Sequence, residues 1–370
     1  MKFSTSKTEL LQALQKVSKA SPTRSTLPIL SCVLVDATEN KTTLRATDLE
    51  LTIQVAVSVS LEEPGSVALP LKTLMDITNE LPETRLTLTA DDKNKLEIQT
   101  ESGIYDLMGK PAFEFPEMPE NTKTGSVKSD SKTLKQIIET TLFAVSKDEL
   151  KPALSGVLFR FSSSVLTAVS TDGHRLVKHT QKNIDEPNYV GDIIIPRKFL
   201  SFISTQLRSD ALTLEIGDTH LTAAIHNDMI ITRLIDEKFP DYENVIPKDN
   251  ENVLTIDKNM FLGAIKRVSI FSNKSTHQIA LNLSDESSKI TTEDPEQSSR
   301  AQEVIVGEYV GENLEIGYNS EYLKDVVQHV KGNKIVVRLN TPISAALFSP
   351  ETSEETSESL MLLMPIRLND

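Results

Sequence analysis

Cysteine is nearly absent from this sequence, since Cys32 is the single one among 370 residues. One cysteine excludes an internal disulfide bond and any metal site built from several thiolates. Cys32 lies in the apolar run 27–35, and this setting predicts a small core residue rather than a nucleophile.

Long apolar runs are missing as well. No stretch is long enough to span a bilayer, and residues 1–7 lead into an amphipathic pattern instead of an apolar signal segment. Together with the single cysteine, these features predict a soluble protein of the reducing cytoplasm.

The familiar catalytic motifs are not found in the sequence. It has no glycine-rich loop before Lys-Ser/Thr, no HExxH, no CxxC and no Gly-x-Ser-x-Gly. His174 and His179 are five residues apart, a spacing that sends them to opposite faces of a strand. We therefore expect no metal, no cofactor and no enzymatic activity.

Positive charge is in deficit, with 39 basic against 53 acidic residues and a net charge of -14. This balance argues against a protein that coats itself in nucleic acid. Net charge averages over all faces, however, and one basic surface can still steer a polyanion.

The sequence does contain internal repeats. Residues 30–34 followed by Thr47-Asp48 recur 124 positions later as residues 154–158 followed by Thr171-Asp172. A third copy, residues 279–283 followed by Glu293-Asp294, comes 122 positions after the second. This period predicts three similar domains of about 120 residues.

Within each repeat an amphipathic helix followed by strands occurs twice. The 3.6-residue apolar spacing predicts first helices over 7–19, 131–141 and 257–268, and second helices over 71–81, 197–207 and 321–330. Ser6, Ser131 and Asp257 are the expected N-caps. Residues 120–126 and 247–251 are predicted linkers, and the polar insertion 350–359 is predicted to be a mobile loop between the last two strands.

These patterns predict an α+β protein with three domains, each a duplicated helix-plus-strands unit. The expected boundaries are 1–121, 127–248 and 252–370.

The segment Thr171-Asp172-Gly173-His174-Arg175-Leu176 permits two interpretations. A His beside an Asp could act as a general base with an orienting carboxylate. Asp-Gly between two apolar runs is instead a strong hairpin-turn signal, because Gly supplies a positive φ. A hydrolase built on Asp172, His174 and Arg175 would also need a nucleophile or metal that the sequence does not display.

Basic residues recur on the predicted helices of all three repeats. No interleaved aromatic platform accompanies them, so contact with phosphates without sequence readout is the natural inference. The alternative is a repeat scaffold that binds only proteins, on which these side chains are ordinary solvated helix faces.

Motifs spread over the whole chain resemble those of one family. They are Met1-Lys2-Phe3, Thr26-Leu27-Pro28-Ile29-Leu30, Thr47-Asp48-Leu49-Glu50, residues 171–176, Ile195-Pro196-Arg197-Lys198, Phe239-Pro240-Asp241-Tyr242 and Met364-Pro365-Ile366-Arg367-Leu368. In this order they resemble the bacterial DNA polymerase III beta subunit family, the sliding clamps.

The resemblance implies a clamp fold that closes as a head-to-tail homodimeric ring, with helices inside and sheets outside. Such a ring encircles double-stranded DNA without sequence specificity and confers processivity on the replicative polymerase. It also implies as partners the clamp loader and other clamp-binding replication and repair proteins.

By the same resemblance, some residues of this chain acquire roles. A cleft for a short peptide with Leu and Phe anchors would be lined by Leu154, Thr171, Gly173, His174, Arg175, Leu176, Pro240, Val245, Ser344, Leu362, Met364, Pro365 and Arg367. DNA contacts carry over to Arg24, Lys72, Arg197 and Lys198.

Two further expectations follow from the resemblance. Pro152 and Ala153 stand where family members can have aromatic residues, so Lys151 is expected to meet phosphate while stacking on single-stranded template is in doubt. For the dimer contact we predict Tyr105 and Leu107 against Ile270 and Phe271, with core burial as the alternative for all four.

Overall fold

The chain forms two compact units in this computed structural model. The first unit comprises Met1–Ser131 and Thr205–Leu234, and the second comprises Lys132–Ser204 and Ile235–Asp370. The structure describes residues 1–39, 41–120, 122–184, 188–208, 211–352 and 354–368. Two predicted domain ends, Asn121 and Asp370, lie outside the described residues.

The elements of the three repeats follow in chain order. The first repeat contains β1 (Lys2–Ser6), α1 (Lys7–Val17), β2 (Cys32–Ala37), β3 (Thr42–Thr47), β4 (Leu51–Val57), β5 (Ser60–Glu63), β6 (Gly65–Pro70), α2 (Leu71–Glu80), β7 (Arg85–Ala90), β8 (Lys95–Gln99) and β9 (Ile104–Met108). The second contains β10 (Lys123–Asp130), α3 (Ser131–Thr141), β11 (Gly156–Ser162), β12 (Val165–Thr171), β13 (Arg175–Lys182), β14 (Gly191–Pro196), α4 (Arg197–Gln206), β15 (Ala211–Gly217), β16 (His220–Ile225) and β17 (Asp228–Arg233). The third contains β18 (Asn252–Asp257), α5 (Lys258–Ser269), β19 (Gln278–Leu283), β20 (Ser288–Asp294), β21 (Ser299–Ile305), β22 (Gly307–Val310), β23 (Leu314–Asn319), α6 (Ser320–His329), β24 (Lys334–Leu339), β25 (Ala346–Pro350) and β26 (Ser357–Leu363).

Each repeat contains the predicted duplication. A strand, a helix and three strands occur twice per repeat, and β5 and β22 are short additional strands between the halves. The predicted α+β class and duplicated unit are confirmed.

The helices begin where the sequence supplies a cap. Ser6 accepts a hydrogen bond from the amide of Glu9 at 3.2 Å, and Asp257 accepts one from the amide of Met260 at 2.9 Å. These bonds satisfy amides that lack an intrahelical partner. Ser131 differs from the prediction, because it is the first residue of α3. Apolar residues at helical spacing face the core, as at Leu10, Leu14 and Val17 of α1.

Two antiparallel sheets form the first unit. One has the strand order β5-β1-β7-β8-β9, and the other has the order β10-β15-β16-β17-β4-β3-β2-β6. The second sheet is continuous between repeats because β17 pairs with β4, with Thr232 opposite Leu51. Helix α1 packs against α2 and against β4.

The second unit repeats this arrangement. Its larger sheet has the order β14-β11-β12-β13-β26-β25-β24-β18-β22, and its smaller sheet has the order β21-β20-β19-β23. Here β13 pairs with β26, with Arg175 opposite Leu363. The core around α5 and α6 includes Phe261, Tyr318 and Phe348. The central repeat is therefore divided between the two units, since its strands join the sheets of both neighbours.

Two sequence predictions need correction. Residues 123–126 are not linker but the start of β10, which pairs with β15. The insertion 350–359 is also shorter than predicted, because Ser357 to Ser359 pair with β13. The turn between β25 and β26 is held by backbone and side-chain contacts: the carbonyl of Thr356 accepts from the amide of Lys182 at 2.8 Å and from Gln181 Nε2 at 3.0 Å.

Among the described residues, no helix is both long and apolar enough to cross a membrane.

Candidate functional site

The segment 171–175 is the hairpin turn between β12 and β13. Asp172 Oδ1 accepts hydrogen bonds from the amides of His174 (2.9 Å) and Arg175 (3.1 Å). Thr171 Oγ1 accepts from the amide of Gly173 at 3.1 Å and donates to the carbonyl of Arg175 at 2.6 Å. Gly173 has a φ of 92°, which an L side chain rarely adopts. The turn interpretation is confirmed, and the carboxylate of Asp172 shapes the backbone rather than orienting an imidazole.

Arg175 leaves this turn on the side opposite to Leu176, because successive strand residues alternate between faces. Its side chain is 8% exposed and lies between two rings, 5.2 Å from the Phe143 centroid and 4.8 Å from that of Tyr322. Nε donates to Asp172 Oδ2 at 3.0 Å, and Nη1 donates to Asp325 Oδ2 at 2.7 Å. The guanidinium thus ties the turn to α6.

His174 is exposed and packs on the same aromatic group. Its ring is stacked on that of Tyr322, with centroids 5.5 Å apart and an interplanar angle of 19°. The carbonyl of His174 accepts a hydrogen bond from the amide of Met364 at 2.8 Å. The turn is thereby joined to the chain that follows β26.

The outward face of the β13–β26 pair is apolar where β13 begins and β26 ends. Leu176 lies opposite Leu362, which in turn lies opposite Leu347. These side chains belong to one cluster, whose other members are Leu158, Val169, Ile194, Phe239, Tyr242 and Ala345, with Leu154, Ile235, Ile246 and Leu360 packed against it. The strand pairing and the turn therefore place this cluster, whose nine members are buried, at the start of β13.

The remaining predicted cleft residues surround this cluster or lie beyond it. Val245 is 53% exposed and Met364 is 41% exposed, although both are apolar. Pro240 directly follows the buried Phe239, and Ser344 Oγ accepts from the amide of Thr341 at 2.8 Å. Pro365 and Arg367 flank Ile366, whose amide donates to the carbonyl of Gly317 at 2.9 Å. The structure does not bring the Arg175 side chain to the cluster.

Sequence reasoning missed several members of this surface. Phe239 and Tyr242 contribute rings to the cluster. The sequence feature that could have indicated them is the Phe239-Pro240 pair, which repeats Phe115-Pro116 after 124 residues. Arg160 supports Tyr242 from the side, since its Nη1 donates to the phenolic oxygen at 3.2 Å. Burial is the main reason that the pKa of Tyr242 is raised.

The turn between β25 and β26 is remote from this surface. It lies at the Gln181 end of β13, six residues from Arg175, which corresponds to about 20 Å along a strand. Thr356 and Ser357 of this insertion lie at that end of β13, beside Lys182 and Gln181.

The predicted DNA-contacting residues are all exposed. Arg24 follows α1, Lys72 lies in the first turn of α2, Arg197 and Lys198 begin α4, and Lys151 precedes the short 3-10 helix Pro152–Leu154. Positive charge in the first turn of a helix opposes the helix dipole. The first turns of α2 and α4 nevertheless contain no acidic residue.

Several other basic side chains form ion pairs, unlike most of the predicted DNA-contacting residues. Lys16 binds Asp228 at 2.7 Å, Lys324 pairs with Glu321 and Arg267 with Glu303. In the described part of the chain, Arg24, Lys72 and Arg197 form no ion pair, and Lys151 lies 4.0 Å from Asp148. The charges of Arg24, Lys72 and Arg197 are therefore available to solvent and to anions.

The predicted interface residues lie beside open sheet edges. In the first unit, Tyr105 and Leu107 lie half-buried on β9, the last strand of its sheet, while Ile104 (61%) and Met108 (65%) on the same strand are more exposed. In the second unit, Ile270 (67%) and Phe271 (43%) are exposed at the end of α5. Ser299 Oγ, on the edge strand β21, donates to the carbonyl of Phe271 at 3.1 Å. None of the four predicted residues is a core residue within this chain.

Comparisons with known proteins agree with this architecture over the full length. The sequence matches the DNA polymerase III beta subunit N-terminal domain over residues 1–119, the central domain over 128–241 and the C-terminal domain over 243–367. It is 32% identical to the beta sliding clamp of Pseudomonas putida and 28% identical to that of Chlamydia muridarum, with all of each chain covered.

Solved structures give the same answer. The DNA polymerase sliding clamp from Bacillus subtilis has a TM-score of 0.94 at 27% identity, and a sliding clamp from Pseudomonas aeruginosa bound to griselimycin has a TM-score of 0.92 at 30% identity. Both matches cover all of each chain.

Three repeats of a duplicated strand-helix-strands unit, matched from end to end in sequence and fold, define the class of DNA sliding clamps. Within that class the chain belongs to the DNA polymerase III beta subunit family. It is a DNA sliding clamp of replication, and the family is one of processivity subunits rather than catalysts.

Proposed function

We propose that two copies of this chain close head to tail into a ring that encircles duplex DNA and tethers the replicative polymerase. The observation that carries the proposal is the pair of open sheet edges, β9 and β21, each accompanied by exposed apolar side chains. An open edge presents unpaired amides and carbonyls that favour pairing with another strand. Pairing β9 of one copy with β21 of another gives partners to the backbone amides and carbonyls of both edges. The same contact then forms a second time between the remaining two edges and closes a symmetric dimer.

The apolar residues flank both edges of this interface. Tyr105, Leu107, Ile104 and Met108 belong to β9, and Ile270 and Phe271 lie beside β21. A cavity of about 340 Å³ beside β21 is lined by Met260, Val304 and Val306. Burying these groups against the second copy supplies the hydrophobic contribution that strand pairing alone lacks.

The DNA-facing residues are Arg24, Lys72, Lys151, Arg197 and Lys198. Amides at a helix N-terminus and the positive end of its dipole attract phosphate, and Lys72, Arg197 and Lys198 add positive charge at two such termini. These contacts involve phosphates rather than base edges, so the ring holds DNA without reading sequence and can slide.

Partner proteins bind through the apolar cluster at the start of β13. The cluster of Leu154, Leu176, Leu362 and Phe239, with Val245 and Met364 exposed beside it, suits a short linear peptide with Leu and Phe anchors. The partners are the polymerase catalytic subunit, the clamp loader and other clamp-binding replication and repair proteins. The three domains are 1–121, 127–248 and 252–370, and the ring acts in the cytoplasm.

Retention on circular DNA tests the proposal directly. The purified protein is loaded onto nicked circular DNA by a clamp loader, and retention is measured before and after the circle is linearised. Release on linearisation is expected, because a topological link is lost when an end appears. Retention on the linear molecule would contradict sliding, and absence of loading by a verified dimer would favour a scaffold that binds only proteins.

A charge-neutralising variant tests the DNA face separately. Arg24→Gln/Lys72→Gln/Arg197→Gln is expected to reduce the salt dependence of binding to short duplex DNA by about 1 in the log–log slope per lost contact. The matched control, Lys2→Gln/Lys95→Gln/Arg160→Gln, removes the same charge from strand residues that pair with Glu62, Asp106 and Asp192. Equal slopes for the two variants would refute the assignment of the DNA face.

A further inference from the structure

The first unit contains a junction with the same backbone as the cleft. We call the β4–β17 pair with its turn 47–51 the first junction, and the β13–β26 pair with its turn 171–175 the second junction. In the first junction, Asp48 Oδ1 accepts from the amides of Glu50 (3.0 Å) and Leu51 (2.7 Å), as Asp172 does in the second. The amide of Arg233 donates to the carbonyl of Glu50 at 2.9 Å, which repeats the bond from Met364 to His174.

The strand register is also equivalent. Across the second junction, Leu176, Leu362 and Leu347 form a row on neighbouring strands. Across the first junction, the corresponding row is Thr52, Ile231 and Thr222. Both threonines are buried, so hydroxyl groups stand where the cleft has two leucines.

A third difference lies beneath the Phe-Pro segment. Val169 of the apolar cluster corresponds to Arg45, whose guanidinium lies 5.6 Å from the centroid of Phe115. Arg45 Nη2 donates to the carbonyl of Pro116 at 3.2 Å. Its side chain therefore occupies the space between strand β3 and this segment, and burial lowers its pKa.

The exposed side of the first junction is charged rather than apolar. Arg233 and Glu50 form an ion pair at 3.8 Å, at the positions held by Met364 and His174 in the second junction. An apolar side chain entering here would desolvate this ion pair without giving it new partners. It would also meet two threonine side chains, one of them bonded through its hydroxyl to Thr47 at 2.8 Å, where the cleft offers two leucines.

We infer that Arg45, Thr52 and Thr222 are specificity-determining residues that exclude peptide anchors from the first junction and so limit each chain to one peptide site. This inference rests on the proposed peptide cleft. It assigns the difference between the junctions to side chains alone, because turn and register are shared. Rejection through buried polar groups is the way in which proteins discriminate between partners of similar shape.

A transplantation experiment tests the inference. In the transplanted variant, Arg45→Val/Thr52→Leu/Thr222→Leu, the first junction receives the residues of the cleft. In the reverse variant, Leu176→Thr/Leu347→Thr, the cleft receives the threonines of the first junction. The probe is a dye-labelled pentapeptide ending in Leu-Phe, titrated calorimetrically for stoichiometry. A photo-crosslinking version maps the occupied residues by mass spectrometry, and circular dichroism verifies folding.

Wild type is expected to bind one peptide per chain, and the transplanted variant two. The reverse variant is expected to bind at least about tenfold more weakly. A folded transplanted variant that still binds one peptide would overturn the inference, as would a wild-type chain that binds two. If the transplanted variant does not fold, retention of wild-type affinity in the reverse variant would overturn it independently. A wild-type chain that binds no peptide would instead refute the proposed cleft.

Discussion

Strands β4 and β13 occupy equivalent places in the two units, yet their inward rows differ. On β4 this row is Leu51, Ile53, Val55 and Val57, whereas on β13 it is Arg175, Val177, His179 and Gln181. All eight residues are buried. The same backbone thus accepts an apolar row in one unit and a largely polar one in the other.

Each polar residue in the row of β13 contacts a group of the third repeat, although His179 Nε2 is buried without a hydrogen-bond partner among the described residues. Arg175 binds Asp325, His179 Nδ1 lies 2.7 Å from Ser359 Oγ, and Gln181 binds the carbonyl of Thr356. Buried polar pairs are costly to desolvate and add little net stability, but they penalise wrong registers. Strand β13 therefore gives up some hydrophobic stabilisation for a fixed position against its neighbours, and the proposed peptide cleft lies at that position.

The largest difference in unfolding free energy is expected when methionine replaces Arg175 on β13 and, separately, Leu51 at the equivalent position on β4. Arg175→Met leaves the carboxylates of Asp172 and Asp325 without their cation and is expected to lower the free energy of unfolding by about 3–5 kcal/mol. Leu51→Met at the equivalent position conserves volume and is expected to cost less than about 1.5 kcal/mol. Equilibrium denaturation followed by circular dichroism measures both. Lys95→Met, which removes an exposed pair with Asp106, is the charge control at below about 1 kcal/mol. An equal loss of unfolding free energy for Arg175→Met and Leu51→Met would contradict the distinction between the two strands.

A smaller change in unfolding free energy is expected when the pH is lowered through the titration range of His179. Burial, followed by the charge of Lys331, lowers the pKa of His179 to about 4, against a weaker opposing effect of Glu354. Unfolded histidine titrates near 6.5, so the unfolded state gains a proton that the folded state refuses. Stability is therefore complete above pH 6.5 and is lost as the pH falls towards 4, by about 3 kcal/mol for this residue.

The variant His179→Val, which carries the residue that β4 has at position 55, isolates this contribution. Its unfolding free energy is compared with that of wild type across this pH range, because the two proteins share every carboxylate and, among those the structure describes, only Glu354 interacts with the charge of His179. A difference that does not change with pH would contradict the assignment.

The smallest effect concerns the turns. Leu49 has a φ of 77° and Gly173 one of 92°, so the first junction tolerates a side chain in a conformation that favours glycine. Gly173→Leu is expected to cost about 1–2 kcal/mol and Leu49→Gly to stabilise by up to about 1 kcal/mol. Thermal unfolding measures both. A Cβ at position 173 meets no atom within 4 Å, so a larger loss would indicate that crowding and not backbone conformation sets the cost.

Much of the local structure follows from the sequence alone. The six predicted helices begin and end within a few residues of the observed ones. The Asp-Gly turn was also predictable, since its hydrogen bonds are local. These features depend on residues close in sequence, where periodicity and capping act directly.

Other features depend on distant segments. Alternation along β13 predicts that Arg175 and Leu176 lie on opposite faces of the strand. No local pattern, however, indicates that Phe143 and Tyr322 lie on either side of the Arg175 guanidinium. Residues 123–126 have the composition of a linker and become strand only because β15 pairs with them. The polar row of β13 was likewise unpredictable, because its partners come from the third repeat.

The pairing of β4 with β17 also affects the order in which the protein matures. Strand β4 ends at Val57 and β17 begins at Asp228, so one side of β4 stays unpaired while roughly 170 further residues are synthesised, about 10–35 s at typical elongation rates. Strand β13 waits about as long for β26. Each nascent chain therefore passes through two periods in which one edge of a sheet is open, and molecular chaperones have the most to protect during these intervals.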